Sequence, residues 1–206
     1  MKKTLNPFLL LIFCLGLSTF LWAQPTQQQG AKLVCTGNIG GANLGQSVAL
    51  SADGNTAIVG GIRDNADKGA VWIFTRSGTT WTQQQKLVGS GSVQVTNGYV
   101  YQGTSVAISA DGNTVLFGAS ADNNYVGAAW VFTRSGTTWT QQGSKLVASN
   151  YLGSDPGQGL SVSLSADGNT AMVGGHRDNN DKGAAWIYTR SAGTWTQQQK
   201  LIGTGG

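Results

Sequence analysis

Side chains able to do acid–base or ligand chemistry are few. The 206-residue chain has nine Asp, no Glu, one His (His176) and two Cys. Its densest acidic stretches are Asp64-Asn65-Ala66-Asp67 and Asp178-Asn179-Asn180-Asp181, each with two carboxylates and nearby amide oxygens. Calcium takes about six to eight oxygen ligands. Asp64, Asp67, Asp178 and Asp181 are therefore the metal candidates, and Lys68 and Lys182 directly after them oppose a cation. The matching stretch Asp122-Asn123-Asn124 has Tyr125 in place of its second acid. A solvated polar loop is the other reading of all three. A catalytic His176 needs an orienting acid and a nucleophile; Asp178 is near in sequence, but no triad is suggested. No phosphate loop, zinc spacing or paired Glu occurs. No catalytic residue is assigned.

These candidates sit inside a repeat. Ser-Ala-Asp-Gly-Asn-Thr occurs at 51–56, 109–114 and 165–170, and Thr-Arg-Ser at 75–77, 133–135 and 189–191. Trp72, Trp130 and Trp186 match one another, as do Trp81, Trp139 and Trp195. Three copies of about 57 residues, counted from those motifs, make repetition the dominant signal.

One copy reads as four strands. Strand a is 47–50 and strand b is 56–60, joined by a turn whose Asp-Gly is a strong hairpin signal. A polar loop at 63–69 leads to strand c at 70–75, and a turn at 77–79 leads to strand d at 80–87. Strand c is apolar on both faces and expects cover on both sides. Strand d carries Gln and Lys and suits an outer, wetter position. A meander from a cramped inner strand to a solvated outer one is a propeller blade. Trp72 and Phe74 then fill the gap between blades, as the equivalent Trp130 and Trp186 do. Trp81, Trp139 and Trp195 open the outer strand and suit either packing or sugar stacking. Arg76, Arg134 and Arg190 recur and expect a structural role at the turns.

The run 26–34 matches strand d, so the expected order is d, abcd, abcd, abcd, with 13 strands. The fold expected is all-β, three four-stranded antiparallel blades plus an N-terminal outer strand. Three blades do not comfortably close a ring, since propellers have about four to eight. The expectation is an open arc, either part of a larger ring in a longer chain or one that assembles with other chains through its open blade edges. The divisions are 1–23, a leader; 24–43, outer strand and connector; 44–101, blade 1; 102–157, blade 2; and 158–206, blade 3.

Leu44-Gly45-Gln46-Ser47-Val48-Ala49, Ala57-Ile58-Val59-Gly60-Gly61 and Gly69-Ala70-Val71-Trp72-Ile73-Phe74 together resemble the FG-GAP repeat. That repeat builds the β-propeller of integrin α chains and of many bacterial exported proteins. Gly118-Ala119-Ser120 is the closest match to the second half of the name, while Gln102-Gly103 and Gln158-Gly159 stand for the Phe-Gly pair. The resemblance spans about residues 44–203. It implies calcium binding between strands a and b. Here that loop, 51–56, carries the single carboxylate of Asp53 and is too short to wrap an ion, as are those of Asp111 and Asp167. A tight turn is expected there and no cofactor is assigned.

Met1-Lys2-Lys3, an apolar run from Phe8 to Trp22 and a small residue at Ala23 form a secretory signal peptide. An uncleaved anchor is the alternative, although the run is short for a span of about 20 residues. Without Lys2 and Lys3 the chain has 11 basic and 9 acidic residues, a dispersed charge of +2. That excludes a nucleic-acid footprint. Cys14 leaves with the leader, and Cys35 alone cannot form an intrachain disulfide. It is a small, partly buried residue or an interchain bridge.

The first functional reading is an exported, non-enzymatic bacterial propeller that binds a protein or other ligand at the cell surface, in the periplasm or outside the cell. Its face is the loop end at 62–68, 120–126 and 176–182, where Asp122, Asn123, Tyr125, His176 and Asp178 lie. The long connection 90–103 adds Tyr99 and Tyr101 and varies most between copies, as a specific contact does. A lectin binding glycan through the outer Trp positions is the alternative, and a propeller hydrolase or lyase is third.

Overall fold

The computed structural model describes residues 28–94 and 98–204. The proposed leader at 1–23 lies outside the described residues. Among the described residues twelve strands form three sheets, each a meander in sequence order. Blade 1 is β1 (Leu44–Leu50), β2 (Thr56–Gly61), β3 (Ala70–Ser77) and β4 (Thr80–Leu87). Blade 2 is β5 (Ser105–Ile108), β6 (Thr114–Ala119), β7 (Ala128–Ser135) and β8 (Thr138–Gln141). Blade 3 is β9 (Ser161–Leu164), β10 (Thr170–Gly175), β11 (Ala184–Ser191) and β12 (Thr194–Leu201). All pairings within a blade are antiparallel.

The described part of the expected N-terminal outer strand is not a strand. It has no blade of its own, so no strand c stands ready to ladder with its backbone. Leu33 and Cys35 pack instead on a cluster of Ala42, Ala57, Val59, Ala70, Trp72 and Phe74. Cys35 is thus a half-buried free thiol. The outer strand of blade 2 is also short. Gly143-Ser144 adds one residue relative to the run in blade 1, and the pairing resumes at the Ala129–Leu146 bridge.

The core lies between blades. Ile58, Val71, Ile73 and Leu87 of blade 1 pack against Val115, Phe117, Trp130, Phe132 and Trp139 of blade 2. Leu116, Ala129, Val131 and Leu146 of blade 2 pack against Ala171, Val173, Trp186 and Tyr188 of blade 3. Trp72, Trp130 and Trp186 are each fully buried, as strand c requires. Removing such a side chain from water stabilises the fold by about 1.5–3 kcal/mol or more each.

Near the inner strands the blades meet backbone to backbone. A Cβ on Gly60 would stand 2.2 Å from the Gly103 carbonyl oxygen, and one on Gly118 1.9 Å from that of Gly159. The Ser47 hydroxyl donates to the Gly103 oxygen and the Ser105 hydroxyl to the Gly159 oxygen, both at 2.8 Å. Gln102 and Gln158, in place of the Phe-Gly aromatic, are fully buried. The Gln102 amide accepts from Gly89 N–H at 2.7 Å and donates to the Gly89 oxygen at 2.9 Å, clasping its own connector.

Candidate binding face

Each b–c loop holds a four-residue helical segment: α1 (Asp64–Asp67), α2 (Asp122–Tyr125) and α3 (Asp178–Asp181). Three consecutive residues in each have left-handed backbone: Asn65, Ala66 and Asp67; Asn123, Asn124 and Tyr125; Asn179, Asn180 and Asp181. Asn and Asp tolerate that region because their short polar side chains bond locally. The clustered Asx residues suit this left-handed backbone, although Ala66 and Tyr125 adopt it too.

The first Asp of each loop is not solvated. Asp64, Asp122 and Asp178 are buried, between 0% and 1% exposed. Asp64 Oδ1 accepts from Ile39 N–H at 2.7 Å and its Oδ2 lies 2.6 Å from Lys86 Nζ. Asp122 takes Val93 N–H and Lys145; Asp178 takes Leu152 N–H and, at 2.5 Å, Lys200. Each Lys also lies over the ring of its blade's buried Trp, at 5.3 to 5.9 Å. Burying a carboxylate is costly unless it is paired and hydrogen-bonded, and strand d supplies the cation. The amines that pair with these acids are Lys86, Lys145 and Lys200, far along the chain from the loop lysines Lys68 and Lys182. Every copy carries an Asp at the same place at the start of the b–c loop and a Lys in the strand-d run, and that co-recurrence was the readable signal. Asp122 and Asp178 are thereby latches between loop and connector, with no open carboxylate on the surface. The second acid of blade 1, Asp67, pairs with Arg63 at 3.5 Å. Among the described residues, no three His, Cys or acidic side chains group as a metal site.

The a–b loops are the tight turns expected. Asp53 accepts from the Ser51 hydroxyl, the Asn55 N–H and the Asn55 amide. Those bonds, the Ser51 hydroxyl foremost, lower its pKa to about 2. In Asp111 burial acts upward, but the Ser109 and Asn113 bonds prevail and the pKa is lowered. Asp167 is lowered by the equivalent bonds. The recurrent Arg residues tie this end together: Arg76, Arg134 and Arg190 each donate to the turn Asn of their own blade.

At the opposite end the outward side chains gather at the seams. Tyr99 and Tyr101 stack with ring centroids 5.2 Å apart and planes 10° from parallel. Partial burial raises the Tyr101 pKa, and Asp67, Tyr99 and Tyr125 add to it. Tyr125 is 37% exposed on the tip of α2. It lines, with Ser120, Asp155, Gly157, His176 and Arg177, a cavity of about 110 Å³ at the seam of blades 2 and 3. Arg177 and Asp155 pair there at 3.1 Å. Tyr125 and His176 are thus brought together; Asn123 lies on the rim of the same loop, while Asp122 and Asp178 turn inward. Asp155 was not readable in advance, because it lies outside the repeated framework; Arg177 recurs as Arg63 but not in the middle copy, which has Ala121. A larger groove of about 540 Å³ lies away from this end, between residues 29–34 and the start of β4.

Of the outer Trp positions, that of blade 2 is a packing position. Trp139 is 3% exposed, and its backbone N–H and carbonyl are both held by the Gln85 amide. Trp81 and Trp195 are half-buried, with Arg76 and Arg190 over their rings at 5.6 and 5.5 Å.

No protein-family model and no curated protein matches the chain. Among solved structures it is similar to Sqt1 of Saccharomyces cerevisiae (13% identity, TM-score 0.48), covering 79% of this chain and 36% of that one. It is similar to TolB of Acinetobacter baumannii (15%, TM-score 0.41), covering 73% and 31%. A candidate 6-phosphogluconolactonase of Bacteroides fragilis matches at 16% and TM-score 0.48, covering 75% and 38%. The chain spans about a third of the length of each. None of these likenesses brings chemistry to this chain.

Proposed function

We propose that this chain is an exported, non-enzymatic repeat protein of the FG-GAP kind that binds a protein partner through the b–c loop end of its blades. The observation that carries this is the aromatic set Tyr99, Tyr101 and Tyr125, held at the seam end by latched loops. Tyr offers large contact area at low conformational cost, and Tyr and Arg are enriched where proteins bind. His176, Arg177 and Asp155 supply the polar rim beside it. The Phe8–Trp22 run supports export. Protein is favoured over glycan because Trp139, one of the three stacking candidates, is covered.

The test is an array of extracellular proteins and a glycan array, each probed with the unmodified chain, Tyr125→Ala, Tyr101→Ala and Trp195→Ala. The expected result is a protein hit weakened at least about tenfold by either Tyr change, a typical anchor loss, with melting temperature unchanged. Glycan hits abolished by Trp195→Ala would replace this reading with a lectin. Turnover in a hydrolase screen that is lost in His176→Ala would replace it with an enzyme.

A further inference from the structure

The two internal seams define what each blade face requires, and the two outer faces leave those requirements unmet. On the trailing face, Ile58 and Leu87 of blade 1 and Leu116 and Leu146 of blade 2 are between 0% and 7% exposed. The equivalent Met172 and Leu201 of blade 3 are each 40% exposed. On the leading face, Val106 and Ile108, then Val162 and Leu164, pack against the blade before them. The equivalent Val48 and Leu50 of blade 1 are 68% and 59% exposed.

The polar groups match in the same way. Ala52 N–H donates to the Ala110 oxygen and Ala110 N–H to the Ala166 oxygen, so the a–b turns form a chain of bonds. Ala166 N–H continues that chain with no acceptor among the described residues. Gly69 and Gly127 take the backbone of Gln102 and Gln158 so closely that a Cβ would stand 2.2 and 2.0 Å from their oxygens. At Gly183 of blade 3 the nearest such atom is the oxygen of its own His176, at 3.3 Å. Gly45, matching Gly103 and Gly159 in sequence and in positive φ, has nothing within 4 Å.

We infer that the trailing face of blade 3 docks on the leading face of blade 1 in a second copy of this chain. Met172 and Leu201 cover Val48 and Leu50 of that copy. The Ser161 hydroxyl and Gly174 receive its Gly45 as Ser105 and Gly118 receive Gly159. Ala166 N–H donates to its Ala52 oxygen. Such a contact is head to tail, and it closes a ring when the rotation permits.

One segment must yield. Gln29 accepts from Arg76 as Gln142 accepts from Arg190. Thr36 N–H bonds Gln83 as Ser149 N–H bonds Gln197. Residues 29–36 therefore occupy the outer-strand place of a preceding blade without forming a strand. In the assembly, β12 of the second copy takes that place.

The test measures mass by sedimentation of the purified protein up to about 100 μM, a range that reports micromolar contacts. Concentration-dependent association is expected, and Met172→Asp or Val48→Asp alone abolishes it. Both residues are exposed in the single chain, so its melting curve stays unchanged. Mixing the two variants restores a one-to-one complex, because one intact pair of faces remains. Gly174→Ala weakens association at least about tenfold by obstructing the backbone approach. Leu33→Ser, which loosens residues 29–36, strengthens it. A monomer throughout that range, association that survives Met172→Asp, or no complex on mixing the variants overturns the inference. This test is independent of the partner sought at the loop end.

Discussion

Replacing Gly118 by alanine drives a methyl group into the seam between blades 2 and 3. The new Cβ would stand 1.9 Å from the Gly159 oxygen and 2.7 Å from the Ser105 hydroxyl. A carbon and an oxygen prefer about 3.5 Å, so the backbones must part by more than about 1 Å, which forfeits roughly half of each dispersion contact across the gap. The Ser105 hydroxyl can rotate away, but the nearer obstacle cannot, since it is main chain and Gly159 is already at φ 81°. Overpacking costs about 1–3 kcal/mol, and a rigid contact belongs at the upper end. Gly118 itself has ordinary strand geometry, so the loss of unfolded-state freedom returns about 0.4–1 kcal/mol. The net expectation is a destabilisation of about 2 kcal/mol, a fall of roughly 1 M in urea midpoint at a slope of about 2 kcal/mol per molar. Gly174→Ala is the control at the equivalent position. Its nearest obstacle, 2.3 Å away, is the Ser161 hydroxyl, which can rotate. That variant is expected to stay within about 0.5 kcal/mol of the parent when measured at dilution. Equal midpoints for the two variants, or a Gly118→Ala chain as stable as the parent, would refute the backbone-contact account of the seam.

Lys145→Met strands the buried Asp122 carboxylate and is expected to cost about 3–5 kcal/mol, whereas Lys182→Met on the exposed loop stays within about 0.5 kcal/mol; thermal melts compare them. The Tyr188 hydroxyl is buried without a hydrogen-bond partner among the described residues, and Phe74 and Phe132 stand at its place in the other blades. Tyr188→Phe therefore raises stability by about 1 kcal/mol, read from urea midpoints. The Asp53 carboxyl has a folded-state pKa of about 2 against an ordinary 3.8. Because the folded value is the lower one, its contribution is complete above pH 3.8 and is lost as pH falls toward 2. Stability against pH should fall less steeply across that window in Ser51→Ala, which removes the foremost of its hydrogen bonds; identical pH profiles would contradict the assignment.

Much of the fold was legible because the signals are local. Asp-Gly turns, β-branched strands and a repeated Trp recur in each copy, and short-range geometry alone turns them into four-stranded meanders. The inward Trp positions were legible too, since a strand apolar on both faces must be covered on both. The inward turn of the first Asp in each b–c loop was not legible, for an equally definite reason. Asx residues next to one another look solvated or metal-binding in sequence, yet here they allow three left-handed residues in succession and turn the first Asp inward.

The sequence by itself determined the repeat, the strand order within each blade and the all-β class, because each depends on residues within a few positions of one another. Tertiary structure decided the rest. It assigned Lys86, Lys145 and Lys200 to the buried Asp residues, covered Trp139, joined Tyr125 to His176 across a seam and left residues 29–36 as a placeholder in place of a strand. The physical reason is that each outcome depends on which blade stands beside which. Burial, ion pairing and backbone approach between elements about 20 to 60 residues apart are properties of the packed seam, and no local pattern encodes the distance at which two backbones meet.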